Sequence, residues 1–218
     1  MTRRSGGPGC ADRRKPAVLK VGLTGGMACG KSVIAEALRE LGCHVIEADA
    51  VAHAVIEPGG EAYEAVVAAF GREILNEAGQ IVRSRLGERV FASPVQLDRL
   101  NAIVHPAVRA RALRQFAEIG EGDPDGIIIY VAAILIESGA YREVDKIIVV
   151  SCAREHQIER AMKRPGASEA SVLARLERQL PLEKKREFGD YIIDTGGTLE
   201  ETLRQTDVVY RDLRRLAS

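Results

Sequence analysis

Gly25-Gly26-Met27-Ala28-Cys29-Gly30-Lys31-Ser32 fills the pattern G-x-x-x-x-G-K-[ST] without a gap or a substitution. Val18 to Leu23, just before it, reads as a short apolar strand. Val33 to Leu41, just after it, carries Ile34, Leu38 and Leu41 at i, i+4 and i+7, the spacing of one helix face. Strand, glycine loop and helix in that order form a cradle for a nucleotide polyphosphate. The glycines let the backbone turn its N–H groups inward, and the helix N-terminus adds partial positive charge beneath the phosphates. Lys31 then reaches the β- and γ-phosphates, and the Ser32 hydroxyl is a ligand for Mg²⁺. The bland alternative, a glycine-rich turn before an ordinary helix, explains neither the Lys-Ser pair nor both flanks.

Working outward, 218 residues suffice for one core with an appended subdomain and not for two large domains. Thirty-one basic and thirty-one acidic residues cancel, so no chain-wide charge points to nucleic acid. No apolar run approaches the roughly 20 residues that cross a bilayer, and no secretory signal is evident, so a cytoplasmic protein without a membrane partner is expected. Cys10, Cys29, Cys43 and Cys152 show no C-x-x-C pairing, and His44, His53, His105 and His156 are scattered. Free thiols and no zinc site follow. A monomer or weak homo-oligomer is expected.

Residues 1–16, with Gly6-Gly7-Pro8-Gly9 and paired arginines, have little to bury and read as a disordered extension. Cys43 to Ile46 reads as a second strand leading to Glu47-Ala48-Asp49. After Pro58-Gly59-Gly60 a helix runs from Glu61 to Phe70, and Ser93-Pro94-Val95-Gln96 looks like a capping box opening a helix to about Ile119. Ile127 to Val131 and Lys146 to Val150 are continuous β-branched runs suited to parallel strands covered on both faces. Tyr191-Ile192-Ile193 is a last strand, before a helix that Thr198 and Glu201 cap. The alternation predicts an α/β, three-layer, doubly wound parallel sheet. The helical block between the second and third strands is too long for a simple crossover and reads as an insertion beside the strand ends. The Arg-rich stretch from Arg154 to Arg186 is read as helical and as belonging to the phosphate site rather than as a solvated face.

A phosphate loop is shared by GTPases, ATP-driven machines and small-molecule kinases. Guanine recognition by Asn-Lys-x-Asp is missing: Asn76 and Asn101 are followed by Glu and Ala. The long apolar runs end in Ala132-Ala133 and Ser151-Cys152 rather than in the acidic pair of a motor. Phosphoryl transfer to a small acceptor remains. It needs a phosphate cradle, a metal, a carboxylate beside the acceptor hydroxyl and cations over the transferring group. Asp49 at the second strand's end is the candidate carboxylate, with a helix cap as its alternative. Arg160 and Arg164, at i, i+4 on one helical face, are the candidate cations.

Several ordered elements resemble the dephospho-CoA kinase family over residues 18 to about 210. These are Gly22-Leu23-Thr24-Gly25-Gly26, Val45-Ile46-Glu47-Ala48-Asp49, Pro58-Gly59, Ile103-Val104-His105-Pro106, Leu135-Ile136-Glu137, Gln157-x-x-Arg160-x-x-x-Arg164, Arg175-x-x-x-Gln179 and Gly189-Asp190-Tyr191-Ile192-Ile193. The resemblance implies a P-loop NTPase fold and ATP- and Mg²⁺-dependent phosphorylation of the 3′-hydroxyl of dephospho-CoA. It implies a core of about 17–55, 126–152 and 188–218, a helical CoA-binding insertion of about 56–125 and a lid of about 153–187. ATP would meet Gly25, Gly26, Ala28, Cys29, Gly30, Lys31, Ser32, Val33, Arg160 and Arg164. Dephospho-CoA would meet Asp49, His105, Leu135 and Glu137, and Asp49, Lys31 and Arg160 would carry catalysis. A helix-start histidine held by local hydrogen bonds is the alternative for His105. Glu47, Ala133-Ile134, Ala28-Cys29, Val33 and Thr195 depart from the family's usual residues. Another P-loop small-molecule kinase and a nucleotide-binding regulator without catalysis remain as other readings. Beside Lys31 and a cluster of N–H groups, the Cys29 thiol is a candidate for a lowered pKa and for oxidation.

Overall fold

The apolar runs become five strands: β1 Leu19–Gly25, β2 His44–Glu47, β3 Ile127–Val131, β4 Lys146–Ser151 and β5 Tyr191–Asp194. The computed structural model describes residues 18–91 and 93–218; the expected disordered extension, 1–16, lies outside them. All pairings are parallel and the strand order is β2-β3-β1-β4-β5, so β1 lies between β3 and β4. From β1 the chain winds first toward β2 and β3, then back past itself to β4 and β5. That reversal opens a crevice at the carboxyl ends of β1 and β3, where ligands of open α/β sheets bind.

Both faces are covered, which is why β1, β3 and β4 read as near-continuous hydrophobic runs. Helices α1 Lys31–Glu40 and α9 Leu199–Ala217 cover one face, where Ile34, Leu38, Val209 and Leu213 share a core with Val21, Ile129 and Ile148. The other face carries α2 Ala48–Ile56, α3 Tyr63–Phe70, α4 Arg83–Phe91 and α5 Pro94–Gly122; Val55, Val66, Phe70 and Phe116 pack there with Ile128, Tyr130 and Val149. The inserted helices are thus part of one continuous core, and α5 itself makes the return to β3. Three short helices, α6 Arg154–Met162, α7 Glu169–Arg178 and α8 Leu182–Arg186, fill the region read as a lid. Met27 of the phosphate loop packs against Ala161 of α6 and Val172 of α7, so the small core of these helices rests on the loop.

Local signals were realised unevenly. Thr198 and Glu201 form their capping box, and Ser168 with Ser171 form one at α7 that the sequence reading did not include. Ser93 forms none: only its carbonyl is used, accepting from Gln96 N and Leu97 N, while Pro94 takes the first turn. The helix then runs straight through Pro106, which has no N–H to donate to the carbonyl one turn back.

The loop also holds the one non-glycine residue with positive φ among the described residues, Ala28 at +57°. That backbone costs an L residue about 1–2 kcal/mol, and the larger unfolded-state entropy of glycine returns about 0.5–1 kcal/mol of it. Ala28→Gly is therefore expected to stabilise the protein by up to about 1 kcal/mol, or about 2–4 °C in Tm for a chain of this size. A lower Tm on thermal denaturation would contradict a strained position 28.

Candidate active site

The phosphate cradle is set by close packing at β1's end. A Cβ on Gly25 would lie 2.3 Å from the Val150 carbonyl oxygen of β4, so only glycine lets the strands approach there. Gly30, at φ 84°, is the N-cap of α1; no side chain caps that helix, and its first turn holds no acidic residue. Val33 N bonds back to the Gly30 carbonyl at 3.0 Å, and the Lys31 and Ser32 amides before it are left to a ligand, with the positive end of the helix dipole behind them. Ser32 and Val33 are exposed at this end.

Lys31 donates from Nζ to the carbonyl oxygens of Gly26, at 2.8 Å, and Gly25, at 3.2 Å. Burial pulls its pKa down to about 8; Lys185 and Arg164 push the same way, while Cys29 and Asp49 oppose. Cys29 behaves opposite to the sequence expectation. Its side chain turns inward, is wholly buried, and accepts a hydrogen bond from Cys152 Sγ at 3.0 Å. Burial, and then Cys152, drive its pKa up to about 12, and the Lys31 charge is the weaker influence.

Asp49 lies in the first turn of α2, two residues past the strand end where it was expected, and Glu47 is the N-cap. Its carboxylate is exposed, does not cap the helix, and borders a cavity of about 390 Å³ together with His105, Phe116, Tyr130, Ile134 and Arg142. The Asp49 charge acts on both Lys31 and Tyr130, whose phenol is held up by burial first and by Asp49 second. His105 sits within α5, not at a helix start, and burial lowers its pKa. Leu135 does not reach the cavity: it is fully buried under Gly22, and its neighbour Ile134 forms the wall instead. Glu137 is turned away as well; its Oε1 pairs with Lys185 Nζ at 2.9 Å and accepts from Leu180 N at 3.0 Å.

Arg160 and Arg164 do not share a helix face, because α6 ends at Met162 and Arg164 follows it in an exposed turn. Arg160 donates to Thr195 Oγ1 at 3.2 Å and Thr195 O at 2.7 Å. The same buried Thr195 hydroxyl reaches the carbonyls of Cys29, at 2.9 Å, and Ser151, at 3.3 Å. One side chain thus ties the phosphate loop, the ends of β4 and β5, and the lid. A second cavity, about 430 Å³, runs from Gly26 along Gln157 to Leu180, Arg186 and Asp194. Among the described residues no group of three or more His, Cys, Asp or Glu is arranged to hold a metal ion. The hard oxygens near the loop, Ser32 and Asp49, suit Mg²⁺ only when phosphate oxygens and water complete its shell. Tyr130 and Lys185 escaped the sequence reading. Tyr130 was visible as the lone polar side chain of an apolar strand, whereas nothing marked Lys185 among the lysines and arginines around it.

A sequence profile described as dephospho-CoA kinase matches residues 19–201. The dephospho-CoA kinase of Aquifex aeolicus is 40% identical over 90% of this chain and 98% of its own length. That of Geobacter metallireducens is 42% identical over 89% of this chain and 96% of its own. Among solved structures, the dephospho-CoA kinase from Campylobacter jejuni superposes with a TM-score of 0.69 at 27% identity, covering 90% of this chain and 97% of the other.

With its folded pKa near 8 against an ordinary value of 10.5, the Lys31 ammonium is disfavoured in the fold. That penalty is present below pH 8 and is relieved as pH rises from 8 toward 10.5, so the unliganded protein gains stability in that window. A bound polyphosphate reverses the preference. At pH 8, calorimetric titration with ATP in buffers of different ionisation enthalpy should show a fraction of a proton taken up per site. Lys31→Arg, charged throughout, should abolish the uptake. Identical heats in all buffers for the unsubstituted protein would contradict the depressed Lys31.

Proposed function

The chain belongs to the dephospho-CoA kinase family, and from that membership we propose the following division of labour in the ATP-dependent phosphorylation of dephospho-CoA, the last step of coenzyme A synthesis. The γ-phosphoryl group of ATP rests on the loop from Gly25 to Ser32 and passes to the 3′-hydroxyl of the acceptor's ribose. The observation that supports this most is the position of Asp49. It lines the cavity together with His105, Phe116 and Tyr130, and its charge opposes the fall in the Lys31 pKa.

In this reading the acceptor hydroxyl sits beside the Asp49 carboxylate, which accepts its proton as the oxygen attacks phosphorus. Lys31 exchanges the Gly25 and Gly26 carbonyls for β- and γ-phosphate oxygens and follows the charge as it develops. Arg160, anchored through Thr195 beside the loop, orients the lid that excludes water from the transferring group. The exposed Arg164 adds positive charge at that mouth. His105 and Tyr130 line the acceptor side, and the edge-to-face contact of Tyr130 with Phe116, at 5.5 Å between centroids, fixes that wall. Ser32 and phosphate oxygens would hold a Mg²⁺ ion, which would supply neutralisation of phosphate charge. The free thiols of Cys29, Cys43 and Cys152 support a reducing, cytoplasmic setting. No described helix is long and apolar enough to cross a membrane.

A coupled assay of ADP release over dephospho-CoA, adenosine, pantetheine and shikimate tests the acceptor, with turnover expected for dephospho-CoA. Asp49→Asn should lower kcat by about 10²–10⁴ with ATP affinity kept, as loss of a general base requires. A variant with near-normal kcat would remove Asp49 from that role.

A further inference from the structure

Lys185 is the one wholly buried lysine among the described residues, although it belongs to a five-residue helix whose neighbours Lys184 and Arg186 are exposed. Taking an ammonium out of water is expensive, and an apolar residue of similar volume is often as stable or more so at such a site. Its surroundings give the burial a purpose. Nζ donates to the Ala133 carbonyl at 2.6 Å and pairs with Glu137 Oε1 at 2.9 Å. The same Oε1 accepts from Leu180 N, at the point where the chain returns from the lid. The Ala133 carbonyl also lies 3.4 Å from Thr24 Oγ1 of β1. Ala132 and Ile134, on either side of Ala133, line the cavity that holds Asp49, whereas Lys185, Ala133 and Glu137 do not.

We propose that Lys185 is a positioning residue for the acceptor. Its ammonium locks the Ala133 carbonyl and the Glu137 carboxylate together, so that the Ala132–Ile134 wall and the lid's return at Leu180 form one rigid unit. The inference rests on the kinase reading above. Phosphoryl transfer needs the acceptor hydroxyl held against Asp49 to within a fraction of an ångström. A wall whose central carbonyl is bound from behind by Lys185 and Thr24 keeps that distance, and through Glu137 it also tells the lid's return where the wall stands. Backbone hydrogen bonds such as Ala132 N to Leu23 O and Tyr141 N to Leu135 O hold the ends of this loop, and Lys185 holds its middle carbonyl.

The test compares steady-state kinetics of Lys185→Met, Lys185→Arg, Glu137→Gln and the Lys185→Met/Glu137→Gln pair with the unsubstituted protein. Lys185→Met should raise KM for dephospho-CoA about tenfold or more while KM for ATP moves less than about threefold, since the loss is of acceptor alignment. Glu137→Gln should shift the same parameter in the same direction. The pair should be no worse than the poorer single variant, because the residues act as one unit. Lys185→Arg, which keeps the cation and its donors, should recover most of the loss. Folded variants with unchanged KM for dephospho-CoA overturn the proposal, as does an equal rise in KM for ATP, which would put Lys185 on the phosphates. Should Lys185→Met fail to fold, Glu137→Gln, which keeps size and most hydrogen bonding, decides alone. Failure of the unsubstituted protein to turn over dephospho-CoA would instead count against the kinase reading itself.

Discussion

An uncapped helix N-terminus at the reversal of a parallel sheet is the constraint on which this structure depends. Because β1 is central, its carboxyl end faces the crevice, and any residue ending β2, β3, β4 or β5 arrives within reach of the loop that follows it. The amides at the start of α1 have no side-chain cap and no carboxylate in the first turn. Such groups are stable only in contact with water or an anion. The glycine frame follows from the same geometry: Gly25 lets Val150 come close, and Gly30 turns the chain into the helix. The residues between them are constrained by packing instead: a Cβ on Gly26 would meet Gln157 and Cys29, Met27 packs against Ala161 and Val172, and Cys29 is buried.

Polar groups buried around this edge are few, and two of them join distant parts of the chain. Thr195 binds Arg160 of the lid to the carbonyls of Cys29 and Ser151. Lys185 binds the loop after β3 to the segment returning from the lid. Both use hydrogen bonds in a low-dielectric setting, where an unsatisfied partner is costly and geometry is therefore enforced. The exposed ion pairs elsewhere, such as Lys163 with Glu159, carry no such weight, being screened and entropically expensive to hold.

Much of this was legible in the sequence because it depends on backbone and periodicity. The phosphate loop, the apolar parallel strands and the Thr198 cap are local patterns, and each became the element it foretold. Side-chain direction was not legible. Cys29 stands one residue from Gly30, yet its sulfur points into the core toward Cys152, which follows the end of β4 far along the chain. Leu135 and Ile134 are adjacent, and only the fold decides which of them faces the cavity. Glu137 carries the charge of a substrate contact but is consumed by Lys185, whose burial no run of lysines and arginines announces. Pro106 inside α5 shows the reverse case: a strong local breaker overridden by packing along a long helix.

The charges of the site make a final point about what it is built to hold. Lys185 and Arg164 both disfavour the Lys31 ammonium, and Asp49 is the one side-chain carboxylate with an appreciable opposing influence. A purely structural arrangement would relax this mismatch by pairing the lysine with a carboxylate, as the same chain does for Lys146 with Asp190 and for Lys185 with Glu137. Lys31 has only two carbonyl oxygens. In the proposed reading, a ligand with several negative charges over the α1 amides would satisfy Lys31, Arg164 and the helix dipole at once and would leave Asp49 to face the acceptor. Repulsion between phosphate and carboxylate would then keep Asp49 off the donor and available to a neutral hydroxyl, so that one charge distribution would select both the donor and the acceptor.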